Sequence, residues 1–202
     1  MQRRHLLKLL PLCAAATPWM AWANDEAPDA LVKRVSTDVL NTFKADPSLA
    51  NDMGRIMGIV DSKLMPHVNF NRMTASAVGR HWRQATPEQQ AQLQEGFKAL
   101  LVRTYSGALT EVKNLTVVFK PLRAQATDTE VVVRSEVRGR GEPIQLDYRL
   151  EKTPQGWKIY DLNVLGVWLV ETYRGQFAQE ITAKGIDGLI TTLRNRSAGR
   201  PG

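Results

Sequence analysis

The sequence predicts an α+β domain in which a four-stranded antiparallel meander sheet packs against N-terminal and C-terminal helices. Three features carry this. Apolar residues recur every three to four positions up to about residue 108, alternate every second position from Leu115, and return to helical spacing from Val167. The strand connections, Gly139-Arg140-Gly141 and Thr153 to Gly156, are short and rich in glycine or proline, which makes consecutive strands antiparallel neighbours.

Taken in order, the chain opens with Arg3, Arg4 and Lys8 beside an apolar run from Leu6 to Ala16, followed by Ala21-Trp22-Ala23 at a cleavage position. This is the pattern of a secretory signal peptide over residues 1–23, too short and too interrupted by Pro11 for a membrane span. The paired arginines also fit a twin-arginine export signal. Cleavage removes Cys13, the single cysteine, so disulfide and thiol chemistry are excluded from the mature chain. Three basic residues and no acids leave with it, so the net charge falls from +7 to +4. That mild, scattered excess suits anionic lipid or an acidic partner better than a nucleic-acid groove.

Residues 24–197 read as a single domain, with 198–202 a loose tail. Leu31, Val35, Val39 and Phe43 give the first amphipathic helix, which ends before Pro47. Leu49, Met53, Ile56, Val60 and Leu64 predict a second, stopping near Pro66, and Phe70, Met73, Val78 and Trp82 a third. Thr86-Pro87-Glu88-Gln89 is an N-cap, a proline at the first helical position and a capping-box glutamine, so a helix starts there and carries Leu93, Phe97, Leu100, Leu101 and Tyr105 to about Ala108.

The strands use Leu115, Val117 and Phe119, then Val131, Val133, Ser135 and Val137, then Ile144, Leu146, Tyr148 and Leu150, and last Trp157, Ile159 and Asp161. Each has one wet face. Gly166 permits a sharp change of direction before a helix through Val167, Val170, Arg174, Phe177 and Ile181, and Gly185 separates this from a last face of Ile186, Leu189, Ile190 and Leu193.

Sites of catalysis are sparse. His67 and His81 stand in no metal-ligand cluster, and neither a GxSxG elbow nor a glycine-rich phosphate loop is present, so no metal, cofactor or catalytic set is expected. Tyr105, Tyr148 and Asp161 could do proton transfer if they met in one pocket; ordinary core and surface roles are the alternative.

The blocks HWRQATPEQQAQLQEGFKALLVRTYSGAL, WKIYDLNVLGVWLVETYRGQF and KGIDGLITTL stand in this order between about Ala30 and Arg194. Together they resemble the MlaC-type periplasmic phospholipid carriers of the maintenance of lipid asymmetry pathway, also called the toluene-tolerance substrate-binding family. His67 replaces a tyrosine of some relatives, and Trp168 is bulkier than the residue expected there. The resemblance implies a soluble periplasmic protein, not an enzyme, that holds phospholipid acyl chains in a deep apolar pocket with the headgroup outside; a monomer is expected. It implies exchange with an outer-membrane lipoprotein–porin complex and with an inner-membrane ABC transporter through its lipid-binding ring. At about 0.8 kcal/mol per buried CH₂, a chain of roughly 16 carbons loses on the order of 12 kcal/mol on release into water, so partners must open the pocket through a mobile helix or loop.

On this reading the candidate pocket residues are Phe70, Met73, Leu101, Tyr105, Val117, Val131, Val133, Leu146, Tyr148, Leu150, Val164, Val167, Val170 and Phe177, each with ordinary core packing as its alternative. Arg80, Arg83 and Arg174 are candidates for a phosphate headgroup or a partner, or else solvated surface charge. Two other functions fit the same residues: a secreted enzyme with Asp161 as base and Tyr105 or Tyr148 as donor, and an envelope scaffold with a solid core.

Overall fold

A computed structural model describes residues 26–139 and 141–199; the signal-peptide reading falls outside them. Helix α1 spans Pro28–Ala45, α2 Met53–Ile59, α3 Phe70–Val78, α4 Pro87–Tyr105 and α5 Leu169–Ser197. The strands are β1 (Thr116–Phe119), β2 (Glu130–Arg138), β3 (Ile144–Thr153), β4 (Gly156–Val164) and β5 (Val167–Trp168), paired antiparallel in the order β1-β2-β3-β4-β5. The α+β meander is therefore as expected, with one strand more than predicted.

The extra strand comes from the β4–β5 turn. Leu165 (φ 54) and Gly166 (φ 87) both take positive φ, the backbone of a two-residue hairpin, and the Gly166 N–H donates to the Asn163 side chain at 2.9 Å. The chain thus folds back for two residues before α5 begins. A second departure lies in β4, where Leu150 opposes Ile159 but Arg149 opposes Asp161, leaving Tyr160 as the extra residue of a bulge. The strict alternation read from Trp157 to Leu162 breaks here, and Leu162 joins Ile159 in the hydrophobic cluster that packs under α1.

The second predicted helix is broken into pieces. The Asp46 carboxylate accepts from the Ser48 N–H and starts a 3₁₀ turn, Pro47–Asn51; the Asp52 carboxylate then accepts from the N–H groups of Gly54 and Arg55 and starts α2. After Ile59 the backbone widens into a π-helical turn, Val60–Leu64, and tightens into a 3₁₀ turn, Met65–His67. Likewise α3 stops at Gly79 (φ 65), and Trp82 lies in a 3₁₀ turn, Gly79–Arg83. Helix α4 starts as expected, with both bonds of the Thr86/Gln89 capping box formed, and gives way after Tyr105 to a 3₁₀ segment, Ser106–Asn114. Gly185 (φ 73) kinks α5.

Three apolar clusters result among the described residues. Leu31, Val32 and Val35 of α1 pack on Val131, Val133, Tyr148, Leu150 and Ile159 of the sheet. Phe70, Met73, Leu93, Phe97, Tyr173, Phe177 and Leu193 join α3, α4 and α5, with Phe97 set edge-on to Tyr173 and Phe177. Phe43, Leu49 and Ile56 close the far end of α1.

Candidate functional site

The three clusters do not merge into one core. Between them lies an apolar cavity of about 350 Å³. Ile56 of α2, with Val60, Leu64, Met65 and Val68 of the turns after it, forms one wall; Phe70 and Met73 of α3 and Leu101, Val102 and Tyr105 of α4 form another. Ser106, Ala108 and Leu109 follow from the 3₁₀ segment, and Leu146, Leu162 and Val164 make the sheet side, with Leu169 at the start of α5. Among the described residues, Lys98 is the one charged side chain on the wall.

Two features hold the walls apart. The bulge at Tyr160 turns Leu162 and Val164 toward the cavity side of β4. Asp161, 1% exposed, then anchors α5: its carboxylate accepts from the Val170 N–H at 3.1 Å and the Leu162 N–H at 2.9 Å, and pairs with Arg149 at 3.0 Å. Placing a carboxylate at a helix N-terminus satisfies backbone donors that lack helical partners. Burial nonetheless pushes the Asp161 carboxyl above the usual carboxylate range, against these bonds. The Arg149 guanidinium also stacks on Trp168, 3.8 Å from the ring centre. Trp168 is therefore occupied by this stack and does not line the cavity; neither does His67.

Of the residues singled out from sequence, Phe70, Met73, Leu101, Tyr105, Leu146 and Val164 surround the cavity. Val131, Val133, Tyr148 and Leu150 lie in the core under α1, while Val170 and Phe177 lie in the core between α3, α4 and α5. Val117 is half-buried on β1, and Val167 is 52% exposed. Arg80 and Arg83 are exposed on the turn after α3, and Arg174 donates to the Ser76 carbonyl at 3.0 Å; none of the three lines the cavity. The wall from Ile56 to Val68 and that from Ser106 to Leu109 were not singled out. The stripe Ile56, Val60, Leu64 was visible as an apolar face, but nothing in its spacing says whether it faces side chains or a void.

The proton-transfer trio does not assemble. Tyr105 lies on the cavity wall, the Tyr148 hydroxyl is 3.3 Å from Ser36 under α1, and Asp161 is engaged at the α5 N-terminus. Burial raises the pKa of both tyrosines, which keeps them neutral. Among the described residues no group of three or more His, Cys, Asp or Glu could hold a metal ion, and no helix is long and apolar enough to cross a membrane.

The model of the MlaC protein family matches residues 33–195. The chain belongs to the MlaC family. Toluene tolerance protein ttg2D of Pseudomonas putida is 30% identical over 194 residues, covering 92% of this chain and 85% of its own. The intermembrane phospholipid transport system binding protein MlaC of Haemophilus influenzae is 24% identical over 182 residues, covering 88% and 85%. Among solved structures, a phospholipid-binding protein from Ralstonia solanacearum, in complex with a phospholipid, superposes with a TM-score of 0.82 at 53% identity, covering 85% of this chain and 97% of that one. The MlaC-type resemblance of the three sequence blocks is thus a family membership.

Proposed function

We propose that this protein is a periplasmic phospholipid carrier that shuttles lipid between an outer-membrane lipoprotein–porin complex and an inner-membrane ABC transporter, acting as a monomer after removal of its signal peptide. The observation that carries the reading is the cavity: about 350 Å³ of space walled almost wholly by apolar side chains, in a chain 53% identical to a protein that holds a phospholipid. An apolar cavity of this kind takes acyl chain, not a polar substrate. A scaffold with a solid core has no use for it, and an enzyme would need polar groups converging inside, where the wall offers, among the described residues, one lysine, one tyrosine and one serine.

The walls also suggest how lipid enters. Much of the lining comes from a π-helical turn and 3₁₀ segments, Val60–Leu64, Met65–His67 and Ser106–Asn114, whose backbone bonding is weaker than that of a regular helix. A docked partner can reshape these pieces without unfolding α4 or the sheet, which resolves the slow release expected for a buried chain.

The test is transfer. Protein loaded with mass-labelled phospholipid is mixed with liposomes with and without the reconstituted inner-membrane complex. Faster transfer to the complex is expected. Leu101→Trp, which projects an indole into the cavity, is expected to abolish loading while the protein stays folded. Equal transfer to both liposomes rules out the shuttle, and full loading of the Leu101→Trp variant rules out the cavity as the site.

A further inference from the structure

The charged residue on the cavity wall is not isolated. The Lys98 side chain, 15% exposed, donates to the Asp61 carboxylate at 2.9 Å and lies 3.0 Å from a Glu95 carboxylate oxygen. Burial alone would lower its pKa, but the two carboxylates outweigh burial and hold it above the usual lysine range, so the ammonium stays charged beside an apolar space. An ammonium has three N–H donors. Two are directed at Asp61 and Glu95, and among the described residues no partner takes the third.

Lys98 also belongs to a second depression. A groove of about 280 Å³ is lined by Met65, Phe70, Ala91, Gln94, Glu95 and Lys98. It shares Met65, Phe70 and Lys98 with the cavity, so the two spaces adjoin, one apolar and one with polar groups. A phospholipid needs both: shelter for its chains and a wet shelf for its headgroup.

We propose that this groove is the headgroup subsite and that it selects phospholipids whose headgroup carries a primary ammonium beside the phosphate over those whose headgroup is only anionic. The inference rests on the carrier reading. The unused N–H of Lys98 takes a phosphate oxygen. Asp61 and Glu95, with side chains 48% and 68% exposed, keep lone pairs free for the ligand's ammonium. One lysine with two carboxylates leaves the cluster with one net negative charge. A headgroup that is anionic and nothing more adds a second, whereas one that pairs phosphate with ammonium adds none. Arg80, Arg83 and Arg174, which would favour anionic lipid, line neither space.

The experiment is a competition. Delipidated mature protein is incubated with vesicles of equal phosphatidylethanolamine and phosphatidylglycerol bearing the same acyl chains. The bound lipid is then extracted and weighed by mass spectrometry. Phosphatidylethanolamine is expected to be enriched about two- to five-fold over the vesicle, the worth of one solvent-exposed ion pair. The double variant Asp61→Asn, Glu95→Gln is expected to lose the enrichment with total lipid bound unchanged; Glu88→Gln, at the start of the same helix, keeps it. A bound ratio equal to that of the vesicle in the unaltered protein, or an enrichment that survives in the double variant, overturns the subsite while lipid still loads and the carrier reading stands. Failure to load either lipid overturns the carrier reading itself.

Discussion

Removing the lipid should cost this protein much of its stability. An empty apolar cavity destabilises a fold by about 24 cal/mol per Å³. Left void, the 350 Å³ space would cost on the order of 8 kcal/mol, against a total of ~5–15 kcal/mol for a typical domain. Collapse of the irregular walls lowers that ceiling, and the sheet and α4 resist collapse. In a domain of this length each kcal/mol moves the melting temperature by about 2–4 °C, so delipidation is expected to lower it by about 10 °C or more, with recovery on reloading from phospholipid vesicles. Differential scanning calorimetry of the loaded, stripped and reloaded protein measures this. A stripped protein that melts within about 2 °C of the loaded one, with bound lipid quantified in each, would refute the reasoning.

Four further outcomes are expected. Asp161→Ala removes the carboxylate that pairs with Arg149 and holds the α5 N-terminus; a loss of about 3 kcal/mol is expected in urea unfolding. Thr86→Ala breaks the capping box of α4 and should cost about 1 kcal/mol with lipid loading unchanged, read by the same method together with lipid extraction. Leu165→Asn replaces an exposed residue held at φ 54 by one suited to that backbone, and should raise stability by about 1 kcal/mol in thermal melts. His67 is held below the usual histidine pKa by burial and by the charges of Arg34 and Lys158, with Glu26 opposing. The unfolded chain therefore binds that proton more tightly. The contribution is present above about pH 6.5 and lost as pH falls through the lowered folded value, so His67→Gln should flatten the melting temperature measured across pH 7 to 5.

Local chemistry was the legible part of the sequence. Thr86, Pro87 and Gln89 dictate a helix start that depends on nothing distant, and the alternation in β2 and β3 requires only that one sheet face be dry. Tertiary effects broke the other expectations. Gly166 signals a change of direction, but Leu165 is a poor residue for positive φ, so nothing in the sequence marks that change as a two-residue hairpin that makes β5. The bulge at Tyr160 shifts the faces of β4, because Asp161 is drawn to Arg149 and to the α5 N-terminus. Ile56, Val60 and Leu64 recur at an interval that serves an α-helix and a π-helical turn alike.

The candidate site was legible in chemistry but not in location. Val133 and Val164 are both apolar residues of alternating strands. One is sealed under α1 and the other lines the cavity, and the difference lies in which helices arrive above them. A periodic apolar stripe shows that a face is dry without saying what dries it. The walls from Ile56 to Val68 and from Ser106 to Leu109 belong to segments whose regularity fails, so helical periodicity is least informative where the cavity forms. Lys98 gave no signal either, since a lysine in the middle of an amphipathic helix is ordinarily solvated.

The central claim is that the cavity carries phospholipid. Native mass spectrometry of the protein purified from the organism that makes it, followed by lipid extraction of the bound fraction, tests this most directly. A stoichiometric adduct with the mass of a phospholipid is the result this account predicts. A lipid-free mass, with no uptake from liposomes afterwards, would contradict it and leave an interaction module in which the cavity has no cargo.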